Sequence, residues 1–438
     1  MVRRYLSHLI KTKGFFDVLV RFTQIIRHFL FGEKRFLQMI TFLENNFQNQ
    51  DIKITFCITT SLLNTHMILF KKLQEKGYNL AAHGFFHIDM TKKNKREQSE
   101  IIRKSYQTFE KLNMPICGFR CPYLSYNDDT IRAFKTSPLL WISNDIIVWE
   151  NHGNRRNNNY LKKLGYLYHW THADQSLSLP RFMNQLVEIP ITAPDDEMLL
   201  DRYNIKKPKE ISAIWLSILK KSYNRGELFH LLFHPERFSY IKDAVNEVIV
   251  QSKNFNPSIW IASLTEIATW WKERGKSTWN CERVQSGGWR VWLRAPEKAQ
   301  VLMKLGDGMQ TDAFFYKNYI QVKPIAERNG SLSFSAGKSR SYTIGISGLC
   351  SKQLEDFLVE EGFLVERTDQ PGNHSLYIDE YKTFNEEDKL PLLEKIDNSP
   401  FPLLRLWRWP NGARSALCIS ADIDAITLTD FIQRAIHF

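Results

Sequence analysis

Residues 52–58 read IKITFCI and residues 78–82 read YNLAA, and these two runs flank a helical pattern over Met67–Lys76. Alternating apolar positions with β-branched and aromatic residues are typical of strands. The alternation continues to about residue 280, with a helix predicted over Lys95–Leu112, strands over Leu139–Ser143, Leu186–Ile191 and Leu228–Phe233, and helices over 209–223, 239–252 and 264–274. Alternating β and α units predict an α/β fold with a mostly parallel sheet, either doubly wound or closed into a barrel.

The chain changes character after Gly275. Short runs separated by Gly, Asn and Ser predict a small antiparallel β-domain, with strands over Trp289–Leu293, Gln300–Leu305, Ala313–Val322, Ser331–Ser335 and Tyr342–Ile346. A helix over Lys352–Glu361 and a strand over Leu376–Asp379 follow, and the acidic, proline-containing stretch 383–400 is predicted to be a linker. A last apolar run, Ser415–Ser420, leads into Asp422 and Asp424.

Composition and charge narrow the class of protein. The chain has 438 residues, of which 43% are hydrophobic and 24% charged, a mixture that excludes wholesale disorder, a collagen repeat and a coiled coil. The net charge is +12, yet residues 281–438 hold 19 basic and 21 acidic residues, so residues 1–280 carry 40 basic and 26 acidic ones. Nucleic acid, an anionic glycan or a membrane surface could each use this positive region, and a solvated basic surface would need no partner.

The N-terminus predicts basic amphipathic helices, whose apolar positions are Leu6, Ile10, Phe15, Leu19 and Phe22. Charged residues interrupt every apolar run, so neither a signal peptide nor a membrane span of roughly 18 residues is expected. We expect these helices to pack on the domain, with binding to a membrane surface as the alternative. Six scattered cysteines without a CxxC motif favour a reducing compartment, and a cytoplasmic location is expected.

Two histidines follow the second strand directly, in His83-Gly84-Phe85-Phe86-His87. At this spacing they could hold one metal ion, and Gly84 stands where the HExxH zinc proteases have their catalytic glutamate. The alternative is two ordinary histidines, buried or on the surface.

Three more groups follow predicted strands. Arg120 and Tyr123 lie in Gly118-Phe119-Arg120-Cys121-Pro122-Tyr123, where a buried arginine could fix a carboxylate or simply mark a turn. His234 ends an apolar strand, where it could act as an acid or base or be a satisfied core histidine. Asp422 and Asp424 could serve as base and metal ligand, or form a solvated acidic turn.

Together these motifs resemble the polysaccharide deacetylase family, carbohydrate esterase family 4 with the NodB-homology domain. The resemblance covers about residues 50–280 and 415–438. It implies a distorted (β/α) barrel with a smaller β-rich accessory domain. On this interpretation residues 1–280 form the main part of the barrel, residues 281–400 form the accessory region, and residues 401–438 supply the first strand and the Asp motif of the barrel.

The order of the motifs departs from the family, in which the Asp motif comes first. Here it stands at 420–424, after all the others, as in a circular permutation, which requires only that the original ends lie close together. A mis-joined reading frame is the alternative explanation. The Asp/Trp motif of the family is only hinted at by Asn144-Asp145 and Trp149, so the partner of His234 is not identified.

The resemblance implies a metal-dependent hydrolase that removes N-acetyl groups from an amino-sugar glycan, which would be anionic if the basic region binds it. Asp424, His83 and His87 would hold a divalent ion, with zinc expected. Asp422, oriented by Arg120, would be the base, and the backbone N–H of Tyr123 would stabilise the oxyanion. His234 would be the acid.

Two other functions remain open. The chain could be an inactive glycan-binding protein on the same fold, or a hydrolase of a small cyclic amide. Nucleic acid is not expected as a partner.

Overall fold

The computed structural model describes residues 32–47, 52–149, 169–283, 285, 289–306, 311, 313–323, 326–328, 331–336 and 341–437. The predicted N-terminal amphipathic helices lie outside these residues. Within the described part, no helix is both long and apolar enough to cross a membrane.

The described helices are α1 Gly32–Phe47, α2 Leu63–Glu75, α3 Lys95–Lys111, α4 Asp128–Phe134, α5 Pro208–Arg225, α6 Phe238–Ser252, α7 Leu264–Arg274, α8 Lys352–Glu360, α9 Glu386–Asp397 and α10 Leu428–His437. The strands up to residue 261 are β1 Thr55–Ile58, β2 Asn79–Ala82, β3 Gly118–Phe119, β4 Trp141–Ile142, β5 Ile146–Val148, β6 Trp170–His172, β7 Arg181–Met183, β8 Leu186–Glu188, β9 Ile191–Ala193, β10 Leu228–Phe233 and β11 Ile259–Ile261. The remaining strands are β12 Thr278–Arg283, β13 Trp289–Arg294, β14 Val301–Lys304, β15 Tyr319–Val322, β16 Ala326–Arg328, β17 Ser331–Ala336, β18 Ser341–Ile346, β19 Val365–Arg367, β20 His374–Ile378, β21 Leu403–Leu406 and β22 Ser415–Ile423.

The main sheet has the strand order β10-β22-β1-β2-β3-β4-β8-β7, and β11 pairs with β22 as a ninth described strand. All pairs are parallel except β7 with β8. Helices connect the parallel strands, and the sheet curls. The prediction of an α/β fold of the distorted (β/α)-barrel type is confirmed, together with an additional β-rich region.

Strand β22 occupies a central position in this sheet, although it lies near residue 420. It pairs with β1 on one side, with Cys57 opposite Asp422, and with β10 on the other, with Phe229 opposite Leu417. All nine residues of β22 are buried, because a parallel strand in such a sheet is covered on both faces. The prediction that this run shares a sheet with β1 is confirmed.

Local signals explain where the connecting helices begin. Asn94 accepts a hydrogen bond from the backbone N–H of Glu97, whose side chain accepts one in return, and this capping box starts α3. Ser263 and Glu266 form the same motif at the start of α7. Both helices then bury one apolar face against the sheet.

The predicted single strand over Leu186–Ile191 is wrong, since two strands occupy this region. Strand β8 ends at Glu188 in the main sheet, whereas β9 begins at Ile191 and pairs with β5 in a second parallel sheet of order β6-β5-β9. Pro190 lies between them and has no N–H to donate to a ladder, so pairing cannot continue through it. Thr192 of β9 accepts a hydrogen bond from the backbone N–H of His230, 3.0 Å away, which brings the second sheet beside β10.

The region after residue 277 contains two antiparallel sheets, of order β12-β13-β17-β16 and β15-β14-β21. The expectation of an entirely antiparallel domain is wrong for β18, which pairs in parallel with β19 and β20. Helix α8 follows β18 and reverses the chain direction, so that β19 returns parallel to it. Strand β21 pairs with β14, although the predicted boundary at residue 401 assigned it to the barrel.

The predicted linker at 383–400 contains helix α9. Asn385 caps it, and three acidic residues, Glu386 to Asp388, occupy its first turn. Negative side chains there are stabilised by the positive end of the helix dipole, so the acidic composition marks a helix start. Leu392 and Ile396 are fully buried in the accessory core.

Candidate active site

The predicted site residues meet at the carboxyl ends of four parallel strands of the main sheet. His83 follows β2, Arg120 follows β3 and His234 follows β10, while Asp422 and Asp424 stand at the end of β22. Open α/β sheets place ligand sites at this edge, because the loops after the strands project there together.

The loop that carries the two histidines depends on Gly84. This residue has φ +73°, and a Cβ there would stand 2.8 Å from the carbonyl oxygen of Phe86 and 2.9 Å from Cγ of Pro122. His83 Nδ1 lies 3.1 Å from the backbone oxygen of Arg120. A carbonyl only accepts, so Nδ1 carries the proton and Nε2 keeps its lone pair.

Asp424 and the two histidines form a compact set of possible metal ligands. Nε2 of His83 lies 3.3 Å from Oδ1 of Asp424, and Nε2 of His87 lies 3.3 Å from Oδ2. One ligand atom from each residue lies within 4.8 Å of the others, and all three side chains are buried. Oδ1 of Asp424 has no hydrogen-bond partner among the described residues. A buried carboxylate that faces two imidazole nitrogens, one with each oxygen, fits a divalent cation, since its Oδ1 otherwise lacks a partner.

Arg434 of α10 also contacts this set, and no motif in the sequence pointed to it. Its Nη1 donates to Oδ2 of Asp424 at 2.6 Å. Burial raises the pKa of the Asp424 carboxyl, but Arg434 and the two histidines outweigh it and hold this pKa well below its usual value. Burial, assisted by Arg434, lowers the pKa of His87 well below its usual value. A charged carboxylate and a neutral imidazole are the forms that bind metal.

Asp422 is held by a buried network around Arg120. Arg120 Nη1 donates to Oδ1 of Asp422 at 2.6 Å and to Oγ of Ser420 at 3.0 Å. Nδ1 of His230 lies 3.0 Å from the backbone oxygen of Pro190, so its Nε2 is left to accept from Arg120 at 3.2 Å and from Ser420 at 2.8 Å. Burial, with Arg120 next, holds the pKa of His230 well below its usual value, which agrees with a neutral ring.

The partner of His234 is Asp196, which sequence reasoning missed. Oδ1 of Asp196 lies 2.8 Å from His234 Nδ1, and its Oδ2 accepts from the backbone N–H of His234 at 2.8 Å. Burial opposes protonation, but Asp196 outweighs it and holds the pKa of His234 well above its usual value. Of the three hinted residues, Asn144 accepts from the backbone N–H of Cys121, Asp145 pairs with Arg181, and Trp149 is buried with the guanidinium of Arg225 over its ring.

A cavity of about 210 Å³ joins these groups, and its lining includes both metal-site histidines, Asp422, Asp424, Tyr123 and His234. Tyr123 has φ +59°, and its ring meets the His87 ring edge-on with centroids 4.4 Å apart. Arg120 does not line the cavity. It lies behind Asp422 and acts on the cavity by holding that carboxylate in place.

The sequence model of the polysaccharide deacetylase family matches residues 41–139, which contain His83, His87, Arg120 and Tyr123. Residues 41–139 thus have the sequence pattern of the polysaccharide deacetylase family. This match confirms the resemblance that the motifs predicted. The matched segment contains the two histidines and Arg120, while His234, Asp422 and Asp424 lie outside it.

Solved structures similar to the chain include a "putative polysaccharide deacetylase" from Mycobacterium smegmatis, with 18% identity, a TM-score of 0.43 and coverage of 61% of this chain and 86% of that one. A Puue allantoinase has 14% identity, a TM-score of 0.43 and coverage of 56% and 74%. A family 4 carbohydrate esterase from Streptomyces lividans, in complex with acetate, has 17% identity, a TM-score of 0.22 and coverage of 23% and 54%. No curated protein matches the chain. At identities this low, the likeness says nothing about the reaction.

Proposed function

We propose that the chain is a metal-dependent hydrolase that removes N-acetyl groups from an amino-sugar glycan. The observation that carries this proposal is the pair of carboxylates at the end of β22. Asp424 faces two histidines, whereas Asp422 is held by Arg120 2.6 Å away. A glycan-binding protein would have no use for a carboxylate oriented as a base beside a metal site.

His83, His87 and Asp424 would hold the ion, with zinc proposed because its sites combine imidazole and carboxylate ligands. When bound, a divalent ion supplies a Lewis acid that makes water more acidic and polarises a carbonyl group. The Asp424 oxygen that lacks a hydrogen bond and the unprotonated Nε2 of His83, which lie 3.3 Å apart, support this assignment.

Asp422 would accept the proton of the attacking water. Its Oδ1 is bound by Arg120, and its Oδ2 lies 3.9 Å from His83 Nε2, so one oxygen is anchored while the other is turned toward the metal-binding residues. A positioned base of this kind contributes roughly 10²–10⁴-fold to the rate. The backbone N–H of Tyr123 would stabilise the negative oxygen that develops as the amide carbon becomes tetrahedral.

His234 would donate a proton to the departing amine, since it lines the same cavity. The amine must be protonated to leave, and Asp196 keeps the imidazole in its protonated form above its ordinary pKa. Acetate and an amino sugar are the products.

The test is acetate release by wild-type protein from a panel of neutral and acidic N-acetylated glycans, with small cyclic amides included. The proposal expects acetate from at least one glycan, and loss of this activity on treatment with a chelator. Glycan binding without acetate release would favour the inactive binding protein, and ring opening of a cyclic amide alone would favour the other hydrolase.

A further inference from the structure

A second cavity, of about 300 Å³, lies beside the candidate active site. Both cavities are lined by Ile146 of β5 and Trp170 of β6, so they are direct neighbours. The barrel forms one wall of the second cavity, and α8 and α9 of the accessory region form another, through Phe357, Glu360 and Lys389. A ligand in the first cavity that continued past Trp170 would therefore enter a space built by both parts of the chain.

The walls of this cavity suit a sugar ring. Aromatic side chains line it, namely Tyr126, Trp170, Trp271 and Phe357. The half-buried rings of Tyr126 and Trp170 can cover the apolar C–H face of a sugar ring, while polar groups at the ring edge fix its orientation.

Charge pairing leaves one carboxylate in excess. The lining contains one arginine and one lysine, and both already form ion pairs, Arg181 with Asp145 and Lys389 with Glu386. Glu361, a further acidic lining residue, is bound by Arg408 at 2.6 Å. Glu360 forms no ion pair among the described residues. The nearby Arg274 donates to the backbone carbonyl of Glu360 and not to its carboxylate.

The carboxylate of Glu360 is also fixed in place. Its Oε1 accepts from Trp271 Nε1 at 2.9 Å and from the backbone N–H of Phe182 at 3.1 Å. These bonds hold the side chain at the cavity wall. Burial raises the pKa of the Glu360 carboxyl, and the two hydrogen bonds and the charge of Lys389 offset this only in part, so a cation beside the carboxylate would be stabilised. A rigid carboxylate that forms no ion pair and lies among aromatic side chains is a site for a protonated amine.

We infer that the second cavity binds an amino-sugar residue whose amine is already free, next to the N-acetylated residue in the active site. This inference rests on the proposed function, whose product is such a residue. A partly deacetylated chain would then be held better than a fully acetylated one, so each turnover would favour further reaction on the same chain.

The experiment compares binding of a glucosamine tetrasaccharide, with protonated amines, and of its fully N-acetylated counterpart by calorimetry with the full-length protein. We expect Glu360→Gln to weaken binding of the amine form about tenfold, the typical worth of one charge-assisted hydrogen bond, and to leave the acetylated form unchanged. Glutamine keeps the acceptor for Trp271. The matched control is Glu387→Gln, which removes an exposed carboxylate of α9 that does not line the cavity.

Lys389→Gln gives a second test of opposite sign. It releases Glu386 from its ion pair and makes the cavity more negative, so binding of the amine form should tighten severalfold. Unchanged binding of the amine form in both variants would overturn the inference, as would equal weakening of both sugars by Glu360→Gln.

Binding of this product-like sugar needs no turnover. Glu360-dependent binding without acetate release would therefore overturn the proposed function alone, and acetate release without Glu360-dependent binding would overturn this inference alone.

Discussion

The guanidinium of Arg120 lies 2.6 Å from the carboxylate of Asp422, although 302 residues separate them in the chain. The contact forms because β22 inserts between β1 and β10, so that a segment near the C-terminus completes a site begun by residues 83–123. Both side chains are almost fully buried. An unpaired charge here would be costly, so each residue depends on the other.

Replacement of Asp422 by asparagine tests the proposed base. Asn keeps the size of the side chain but cannot take a proton, so we expect kcat to fall by roughly 10²–10⁴-fold while metal content stays near that of wild type. Acetate release and elemental analysis measure the two quantities. Asp243→Asn, on the exposed face of α6, is the control, and retention of most activity by Asp422→Asn would assign the base to another group.

Arg434 should position the metal ligand Asp424. It binds Oδ2 and leaves Oδ1 without a hydrogen bond, so we expect Oδ1 to face the ion. Loss of a group that orients a ligand typically costs 10–100-fold in metal affinity, and Arg434→Ala should weaken binding by about that factor in a metal titration. Tighter binding would show instead that the arginine competes with the ion.

The pH dependence of activity should depend on Asp196. Because Asp196 raises the pKa of His234, the acid form persists above the ordinary histidine pKa of about 6.5 and is lost as the pH rises through the folded-state value. Asp196→Asn removes this stabilisation, so the alkaline limb of the kcat/KM profile should move to lower pH. A limb that stays in place would exclude His234 as the group whose deprotonation ends activity.

The central position of β22 can be tested by stability. Leu417 is fully buried and pairs with Phe229 of β10 on one side and Ile261 of β11 on the other, and Leu417→Ala should lower the free energy of unfolding by about 2–5 kcal/mol, the usual cost of such a cavity. Denaturant unfolding measures it. Leu349→Ala, at a site 71% exposed, should change the value by no more than about 0.5 kcal/mol. Equal effects of the two substitutions would contradict the placement of β22 in the core.

The sequence predicted the elements whose signals are local. Strand β10 has the predicted bounds because an apolar run defines it. Helix α7 has the predicted bounds because a capping box marks its start. The break at Pro190 and the start of α9 were also local signals. Apolar residues on both sides of Pro190 concealed the first, and the acidic composition of 383–400 concealed the second. The two histidines and the two aspartates were visible as short motifs after strands.

Asp196 and Arg434 could not be found in this way. Their roles depend on contacts across the sheet, and neither residue belongs to a motif with fixed spacing. Asp196 reaches His234 only because β9 lies beside β10, a pairing that no local pattern encodes. The position of the Glu360 carboxylate at the wall of the second cavity likewise depends on how α8 packs against Trp271.

The most direct test of the account is the metal content of purified full-length protein, wild type against Asp424→Ala, by elemental analysis. Asp424 is the ligand contributed by β22, so its loss separates the predicted site from metal bound by the histidines alone. The account predicts about one divalent ion per wild-type chain, since one set of three ligands holds one ion, and little metal in the variant. No metal in the wild type, or equal metal in both proteins, would contradict it.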